Sequence, residues 1–414
     1  MIFFDKVFIH FSGHRTLGQI RRFIAAGAVS TLINYGFFFA AFRIFGFSYI
    51  AASAAGYAMG VGIGYLLNSR WTFTRVLTSR FHEIAAYIGV YALSLLASLS
   101  VLRIVVEGLH ISPIVGNVIA IGVSTLLNFL GCRYIIFNKK ALSSMRKLGS
   151  FFTPAFWIIL GVKAASGMLF ASPYMTQGFL PFVDYVTSSF SNPYDHFFHN
   201  TSIPFPYPGG MLAIISAPFF FAKAILPLSW LGNTFVQLFL LHLPLILFDV
   251  LLYVVLCLFL PTKEKKILWF YFASPLFFYI SYVHGQLDVI PTALLFVSLF
   301  LLFQKRHLTA LALLGLGIAT KTHLAAALPF FLVYLYRNRA KPTLLIKASV
   351  AAAAVFLFFN LPLLSQGFIE TVFNNPEQQR LFSLFIPFGI GDLRMFLVPA
   401  VLLFIGYRFL SYGR

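Results

Sequence analysis

Apolar runs of roughly 20 residues recur along the whole chain, and that recurrence decides the solvent it folds in. A helix rises about 1.5 Å per residue, so each run matches a bilayer core of about 30 Å. Spans are expected near 22–44, 48–68, 84–106, 114–137 and 151–171. Further spans are expected near 234–258, 267–283, 288–303, 308–320, 323–337, 343–363 and 392–409. Within a bilayer every backbone amide must be satisfied by the chain itself, which selects helices over open sheets. The implied fold class is an all-α polytopic membrane protein with about 12 transmembrane helices. Only 10% of the residues are charged, against about 25% in a soluble domain.

The formal net charge of +19 points to membrane topology rather than to nucleic acid. The basic residues sit in short clusters between apolar runs, as the positive-inside rule requires. With the N-terminal segment 1–22 in the cytoplasm, the inner loops hold Arg21 and Arg22, then Arg70, Arg75 and Arg80, then Lys139, Lys140, Arg146 and Lys147. Later inner clusters are Lys263, Lys265 and Lys266, then Lys305 and Arg306, then Arg337, Arg339 and Lys341. The opposite loops hold Glu107, Asp184, Asp195, Asp288, Glu370, Glu377 and Asp392. Met211–Leu226 is apolar enough to cross, but a crossing there would put every later basic cluster outside. The charge bias therefore assigns it to a juxtamembrane or re-entrant helix on the periplasmic face. Both termini are then cytoplasmic. No cleavable signal pattern precedes the first run. Cys132 and Cys257, near cytoplasmic helix ends, give no disulfide framework and are read as packing residues.

The first 140 residues read as a duplicated two-helix unit. Asn68-Ser69-Arg70-Trp71-Thr72-Phe73 ends the second span, and Asn128 through Arg133-Tyr134 to Phe137 ends the fourth. Small residues crowd these helices, as in Gly56-Tyr57-Ala58-Met59-Gly60-Val61-Gly62-Ile63-Gly64, and allow close helix approach. Arg70 and Arg133 are either positive-inside anchors beside interfacial aromatics or a site for a lipid phosphate, since a guanidinium suits a pair of phosphate oxygens.

These phrases, with Gly27-Ala28-Val29-Ser30-Thr31-Leu32-Ile33-Asn34, resemble the GtrA-like family over about 20–140. That resemblance implies a four-helix membrane domain that moves or presents polyprenyl-phosphate-linked sugars. It implies a lipid-phosphate site at Asn68, Arg70, Trp71, Asn128 and Arg133. Gly131-Cys132 stands where the family often has an Asn before the Arg.

The remainder, 150–414, reads as a second domain with a long outer loop, 173–210. That loop carries Asp184-Tyr185, Asn192-Pro193-Tyr194-Asp195-His196 and Tyr207-Pro208-Gly209-Gly210. Further on come His284-Gly285-Gln286-Leu287-Asp288 and Thr320-Lys321-Thr322-His323 at the tops of two spans. A carboxylate in such a loop is either a solvated charge or a general base toward a sugar hydroxyl. Lys321 ends a run of only 13 residues, about 20 Å, so it lies below the membrane surface unless it snorkels. A cation at that depth needs a cavity or a partner, and a departing phosphate is an apt one. Arg380, in the outer loop 364–391, is a further phosphate ligand or a solvated charge. Asp249, well inside its span, is expected to form a structural pair with Lys163 or His242.

Over about 150–340 the order of these motifs, with Phe248-Asp249-Val250-Leu251-Leu252-Tyr253, resembles the GT-C glycosyltransferases, which take sugar from a polyprenyl-phosphate donor. The resemblance implies that Asp184 is the catalytic carboxylate, with Asp195 its rival. Lys321, His323 and Arg380 are the candidate donor-phosphate ligands. Tyr185, His196, His284, Gln286 and Asp288 would then contact sugar or acceptor, although Gln286 and Asp288 serve equally as helix-end caps. Tyr207-Pro208-Gly209 replaces the family's Tyr-Pro-Pro turn. The expected partners are a lipid-linked sugar, a cell-envelope glycan acceptor, membrane lipid and a cytoplasmic synthase that charges the lipid. No metal site and no cofactor are expected. The rival readings are a flippase without catalysis and a membrane scaffold.

Overall fold

The computed structural model describes residues 14–45, 59–73, 80–136, 148–198, 205–225, 228–374, 384–388 and 391–395. The chain divides into two compact units, Met1–Ser150 and Phe151–Arg414. The described residues are helical apart from one short hairpin near the end. Large apolar side chains stand exposed on helices of both units, among them Leu32, Ile44, Trp157, Phe270 and Phe358. Water would penalise so much exposed hydrocarbon, and lipid does not.

The first unit contains helix α1 (His14–Phe39), α2 (residues 59–67), α3 (Arg80–Arg103) and α4 (Pro113–Gly131). Each ends in a π-helical turn: Ala40–Ile44, Asn68–Thr72, Ile104–Gly108 and Cys132–Ile136. The two repeated phrases thus end in the same kind of turn. Phe23, Phe73, Tyr87, Phe129, Cys132 and Ile136 form its core. The Phe23 ring meets Phe73 and Phe129 edge-on, with centroids 6.2 and 5.6 Å apart.

The second unit opens with α5 (Pro154–Leu169), started by Thr153, whose hydroxyl accepts from the Phe156 amide, and by Pro154. Among its described residues, the stretch read as an outer loop over 173–210 is largely helical. A π-helical turn, Tyr174–Phe179, leads into α6 (Leu180–Ser189), and the short α7 (Pro193–Phe197) follows. This segment is bent 66° from α5. The break falls at Pro173, which has no amide hydrogen to continue the helix. Next comes α8 (Gly209–Ile225), whose 17 residues rise about 25 Å, short of the bilayer core. The long α9 (Thr234–Phe259) is capped by Asn233.

The expected span 267–283 is two helices, α10 (Glu264–Phe272) and α11 (Pro275–Val283), bent by 47°. Pro275 forces Ser274 into extended backbone and removes the amide that would carry the helix on. There follow α12 (Val289–Phe303), α13 (His307–Thr320), α14 (Leu328–Arg337) and α15 (Pro342–Asn360). By length and composition Thr234–Phe259 and Pro342–Leu363 can each cross a membrane, and the two bent pairs add up to two further candidates.

Strands β1 (Leu384–Phe388) and β2 (Gly391–Met395) pair antiparallel, Leu384 opposite Met395 and Phe388 opposite Gly391. The expected last span, 392–409, therefore begins as a strand, and its remainder lies outside the described residues. Pro387 in β1 and Gly391 in β2 are residues that interrupt helical periodicity.

Two cores hold the second unit. One gathers Met175, Phe182, Tyr194, Phe205, Met211, Leu241, Leu287 and Phe368 around α6 to α9 and the start of α12. The other gathers Leu302, Leu311, Leu314, Phe331, Leu335, Ala348 and Ala352 around α12 to α15. A Cβ at Gly315 would stand 2.3 Å from the Ala352 carbonyl oxygen, so glycine sets how closely α13 and α15 approach.

Candidate functional site

The site of the second unit forms where α13 breaks. Thr320 turns its hydroxyl onto the Gly317 carbonyl at 2.6 Å, and Lys321 leaves the helix in extended backbone. The half-buried Lys321 Nζ meets the Asp288 carboxylate in a short ion pair and lies 5.9 Å from the centre of the Tyr207 ring. Three motifs far apart in sequence, 205–210, 284–288 and 320–323, thus converge. Asp288 precedes α12 but makes no capping bond; its side chain goes to Lys321, and only its carbonyl serves the helix, accepting from Thr292 Oγ1 at 2.7 Å. The lysine does not snorkel free.

Backbone contacts fix this convergence. A Cβ at Gly210 would stand 2.7 Å from the Ala319 carbonyl oxygen, so α8 begins directly against the end of α13. The Gly209 amide donates to Asn360 Oδ1 at 2.9 Å, and Tyr194 Oη donates to the Tyr207 carbonyl at 2.5 Å. Gly285 has φ +76°, and a Cβ there would meet the Met175 sulfur. This left-handed glycine lets the 284–288 loop fold onto the π-helical turn after α5. His284 stacks near Tyr174, with centroids 6.3 Å apart, while Gln286 is exposed. His323 is exposed in the following 3₁₀ turn, Thr322–Ala327. Arg380 lies outside the described residues.

The two candidate carboxylates stand on adjacent short helices. Tyr185 and His196 stack with centroids 4.0 Å apart, which holds α6 against α7. Asp195 is exposed, and its Oδ2 accepts from Asn192 Nδ2 at 3.2 Å. Asn192 also caps α7 through the Tyr194 amide and bonds the Leu363 carbonyl and Ser365 Oγ. Asp184 is exposed and takes Lys223 Nζ at 2.8 Å. The same lysine reaches Thr187 Oγ1 and Ser188 Oγ at 2.9 and 2.5 Å. Lys223 is near the end of α8, about 20 Å of helix rise from Gly210. The structure therefore joins Lys321 to Asp288, and Asp184 to Lys223, and among the described contacts none links the two pairs.

Lys223 and Asn360 were missed by sequence reasoning, and Asn192 was seen only as part of the Asp195 motif. A cation in the apolar run 211–226 and an amide in the run 343–363 were the available signals.

Deeper in the unit, Lys163 and Asp249 pair at 2.5 Å, both buried. Tyr271 Oη and Tyr282 Oη each donate to Asp249 at 2.7 Å, and Lys163 Nζ lies 3.8 Å from the Phe272 ring centre. Of the two expected partners, Lys163 is the one used. His242 bonds the Leu238 carbonyl instead, through Nδ1. Among the described residues no group of His, Cys, Asp or Glu could hold a metal.

In the first unit the structure divides the expected phosphate set. Asn68 is buried and, with Asn128, lines a cavity of about 490 Å³. Arg70 and Trp71 are exposed. Arg133 is half-buried with its guanidinium 5.8 Å from the Phe129 ring centre. Cys132 and Cys257 are both free thiols, buried in packing.

Helices, lipid-suited surfaces and the repeated turns together define a membrane protein with a four-helix first domain. Residues 22–137 match the family described as GtrA/DPMS, transmembrane domain. A similar protein is the uncharacterized membrane protein YwcD of Bacillus subtilis (strain 168), 25% identical over 120 residues, which are 28% of this chain and 94% of the relative. No solved structure matches the chain.

Proposed function

We propose that the chain is a membrane glycosyltransferase that moves a sugar from a polyprenyl-phosphate donor to a cell-envelope acceptor. The first domain would bind or translocate the lipid-linked sugar, and the second would transfer it on the periplasmic side. The observation that carries the reading is the half-buried Lys321, presented with Asp288 and Tyr207 where three separated motifs meet. A fixed cation in a half-dry setting stabilises charge on a leaving phosphate far better than one in water. The GtrA/DPMS match over 22–137 supports the lipid-linked donor, in line with the resemblance of that segment. One chain holding both parts keeps the donor local to its consumer.

In the reaction, an acceptor hydroxyl gives its proton to a carboxylate, and its oxygen attacks the anomeric carbon with inversion. The bond from that carbon to the phosphate oxygen breaks, and its electron pair leaves on polyprenyl phosphate. Asp184 is assigned as the base, by its place after the opening helix, with Lys223 holding one of its oxygens. Because Lys223 and Gly210 are about 20 Å of helix rise apart, the assignment requires α6 to approach the Lys321 site during turnover. Lys321 and His323, with Arg380, would receive the phosphate. About twelve spans, an inner-membrane location and cytoplasmic termini belong to the same proposal, as does a cytoplasmic synthase that supplies the charged lipid.

The test uses purified full chain, Asp184→Asn and Asp195→Asn, with radiolabelled polyprenyl-phosphate hexoses, pentoses and deoxysugars and crude envelope glycan as acceptor. Transfer by wild type and Asp195→Asn, lost in Asp184→Asn while lipid binding persists, supports the assignment. The reverse pattern moves the base to Asp195. Lipid binding without transfer by any form would replace the enzyme with a flippase.

A further inference from the structure

We infer that the cavity of the first unit is a chamber for the sugar of the lipid-linked substrate, with the phosphate held outside at its rim. This rests on the reading that the chain handles a polyprenyl-phosphate sugar. The cavity, of about 490 Å³, falls in the range of small-molecule sites. Its polar lining includes Ser30, Thr31, Asn68, Tyr87, Tyr91 and Asn128, and among the described residues no Asp, Glu, Lys or Arg lines it.

The hydrogen-bond directions make the chamber selective. Ser30 Oγ donates to the Ala26 carbonyl at 2.7 Å and Thr31 Oγ1 to the Gly27 carbonyl at 3.0 Å. Each hydroxyl has spent its proton on its own helix, so lone pairs are what it has left to offer a ligand. Asn68 Oδ1 and Asn128 Oδ1 are buried and meet no donor of the protein. Asn68 as a whole is 2% exposed. A buried acceptor of this kind needs a donor. Sugar hydroxyls both donate and accept, so they can meet these oxygens and the amide and phenol donors beside them. A phosphate only accepts and would find no cation among the described lining residues. Tyr87 and Tyr91, stacked with centroids 4.3 Å apart, add an apolar wall suited to the face of a sugar ring.

The cations stand at the edge. Arg22 adjoins the lining residue Phe23, and its Nη1 reaches the Trp71 carbonyl at 3.4 Å. Arg70 is exposed two residues beyond Asn68. Arg22, bonded to the Trp71 carbonyl, and Arg70 are the cations next in sequence to the lining residues Phe23 and Asn68, and we assign the phosphate to them. The expected five-residue phosphate site becomes two subsites, amides within and guanidinium groups outside.

The test compares the affinity of the full chain in nanodiscs for a polyprenyl-phosphate hexose and for the same polyprenyl phosphate without sugar. Wild type should prefer the sugar-bearing lipid. Asn68→Ala and Asn128→Ala should each lose roughly tenfold of that preference and bind the bare lipid as wild type does. Arg22→Gln and Arg70→Gln should weaken both lipids in parallel. Binding of the bare lipid reports folding; if an Asn variant fails that control, Ser30→Ala, which deletes one lining oxygen, carries the test with a smaller loss. Variants that keep the wild-type preference overturn the chamber and leave the donor reading standing. A wild type that does not distinguish the two lipids overturns both.

Discussion

Uncharged groups do the polar work inside the first unit, where Asn68, Ser30, Tyr87 and Asn128 surround a cavity. Inside the second unit charges do it: Lys163 and Asp249 are buried on one another, and Lys321 meets Asp288 half-buried. The ion pair described in the first unit, Arg103 with Glu107, lies one helical turn apart with the carboxylate half exposed. The contrast follows from what each unit is proposed to do. A chamber that admits and releases a sugar works with hydrogen bonds that exchange readily, and a fixed charge there would trap or repel the neighbouring phosphate. A site that stabilises a leaving anion needs fixed charge, and fixed charge needs a rigid frame.

The comparison breaks most visibly at Lys163. Lys163→Ala leaves Asp249 buried without its cation and should cost about 3–5 kcal/mol, read as a large fall in unfolding temperature of the purified chain. Lys163→Met with Asp249→Leu should recover most of that loss. If single and double variants unfold alike, the ion pair is not what holds α5 to α9.

Next in size is Lys321→Met, which should slow sugar transfer roughly 100-fold with little change in stability, measured as kcat on a fixed donor. Equal losses of stability and rate would make Lys321 a structural residue. Gly285→Ala forces a side chain into left-handed backbone against Met175 and should cost about 1–3 kcal/mol. It should also weaken donor binding, because the same loop carries Gln286 and Asp288. Smallest is Glu107→Gln in the first unit, expected to shift stability by less than about 1 kcal/mol, within error in the same unfolding assay. A large effect there would erase the distinction between the units.

What the sequence made legible follows from the range of each signal. Apolar runs and repeated phrases are local, so the helices of the first unit and the match over 22–137 could be anticipated. Asp249 could be flagged because an acid inside an apolar run is anomalous, and both candidate partners were visible for the same reason. The pairing of Lys321 with Asp288, 33 residues apart, depends on how α8, α12 and α13 pack, and no periodicity encodes that. Lys223 escaped because a basic residue near a helix end looks like an ordinary anchor. The helical build of 173–210 was hidden by its aromatic, proline-rich composition, which reads as loop. The strand pair escaped because Leu384-Phe385-Ile386-Pro387-Phe388 is simply apolar, and short apolar runs do not declare their period.

The buried pair also bears on how the chain is made. Lys163 is synthesised 86 residues before Asp249. At about 5–20 residues per second, α5 waits roughly 4–17 s for its counter-charge. A lysine at the middle of a lone inserted helix costs about 2.5–3.5 kcal/mol on the insertion scale. During that interval α5 is a poor membrane resident, better kept at the insertion machinery or at the interface until α9 emerges. Were α5 to insert on its own, its lysine would stand uncompensated until Asp249 of α9 is made, which would favour late settling of α5.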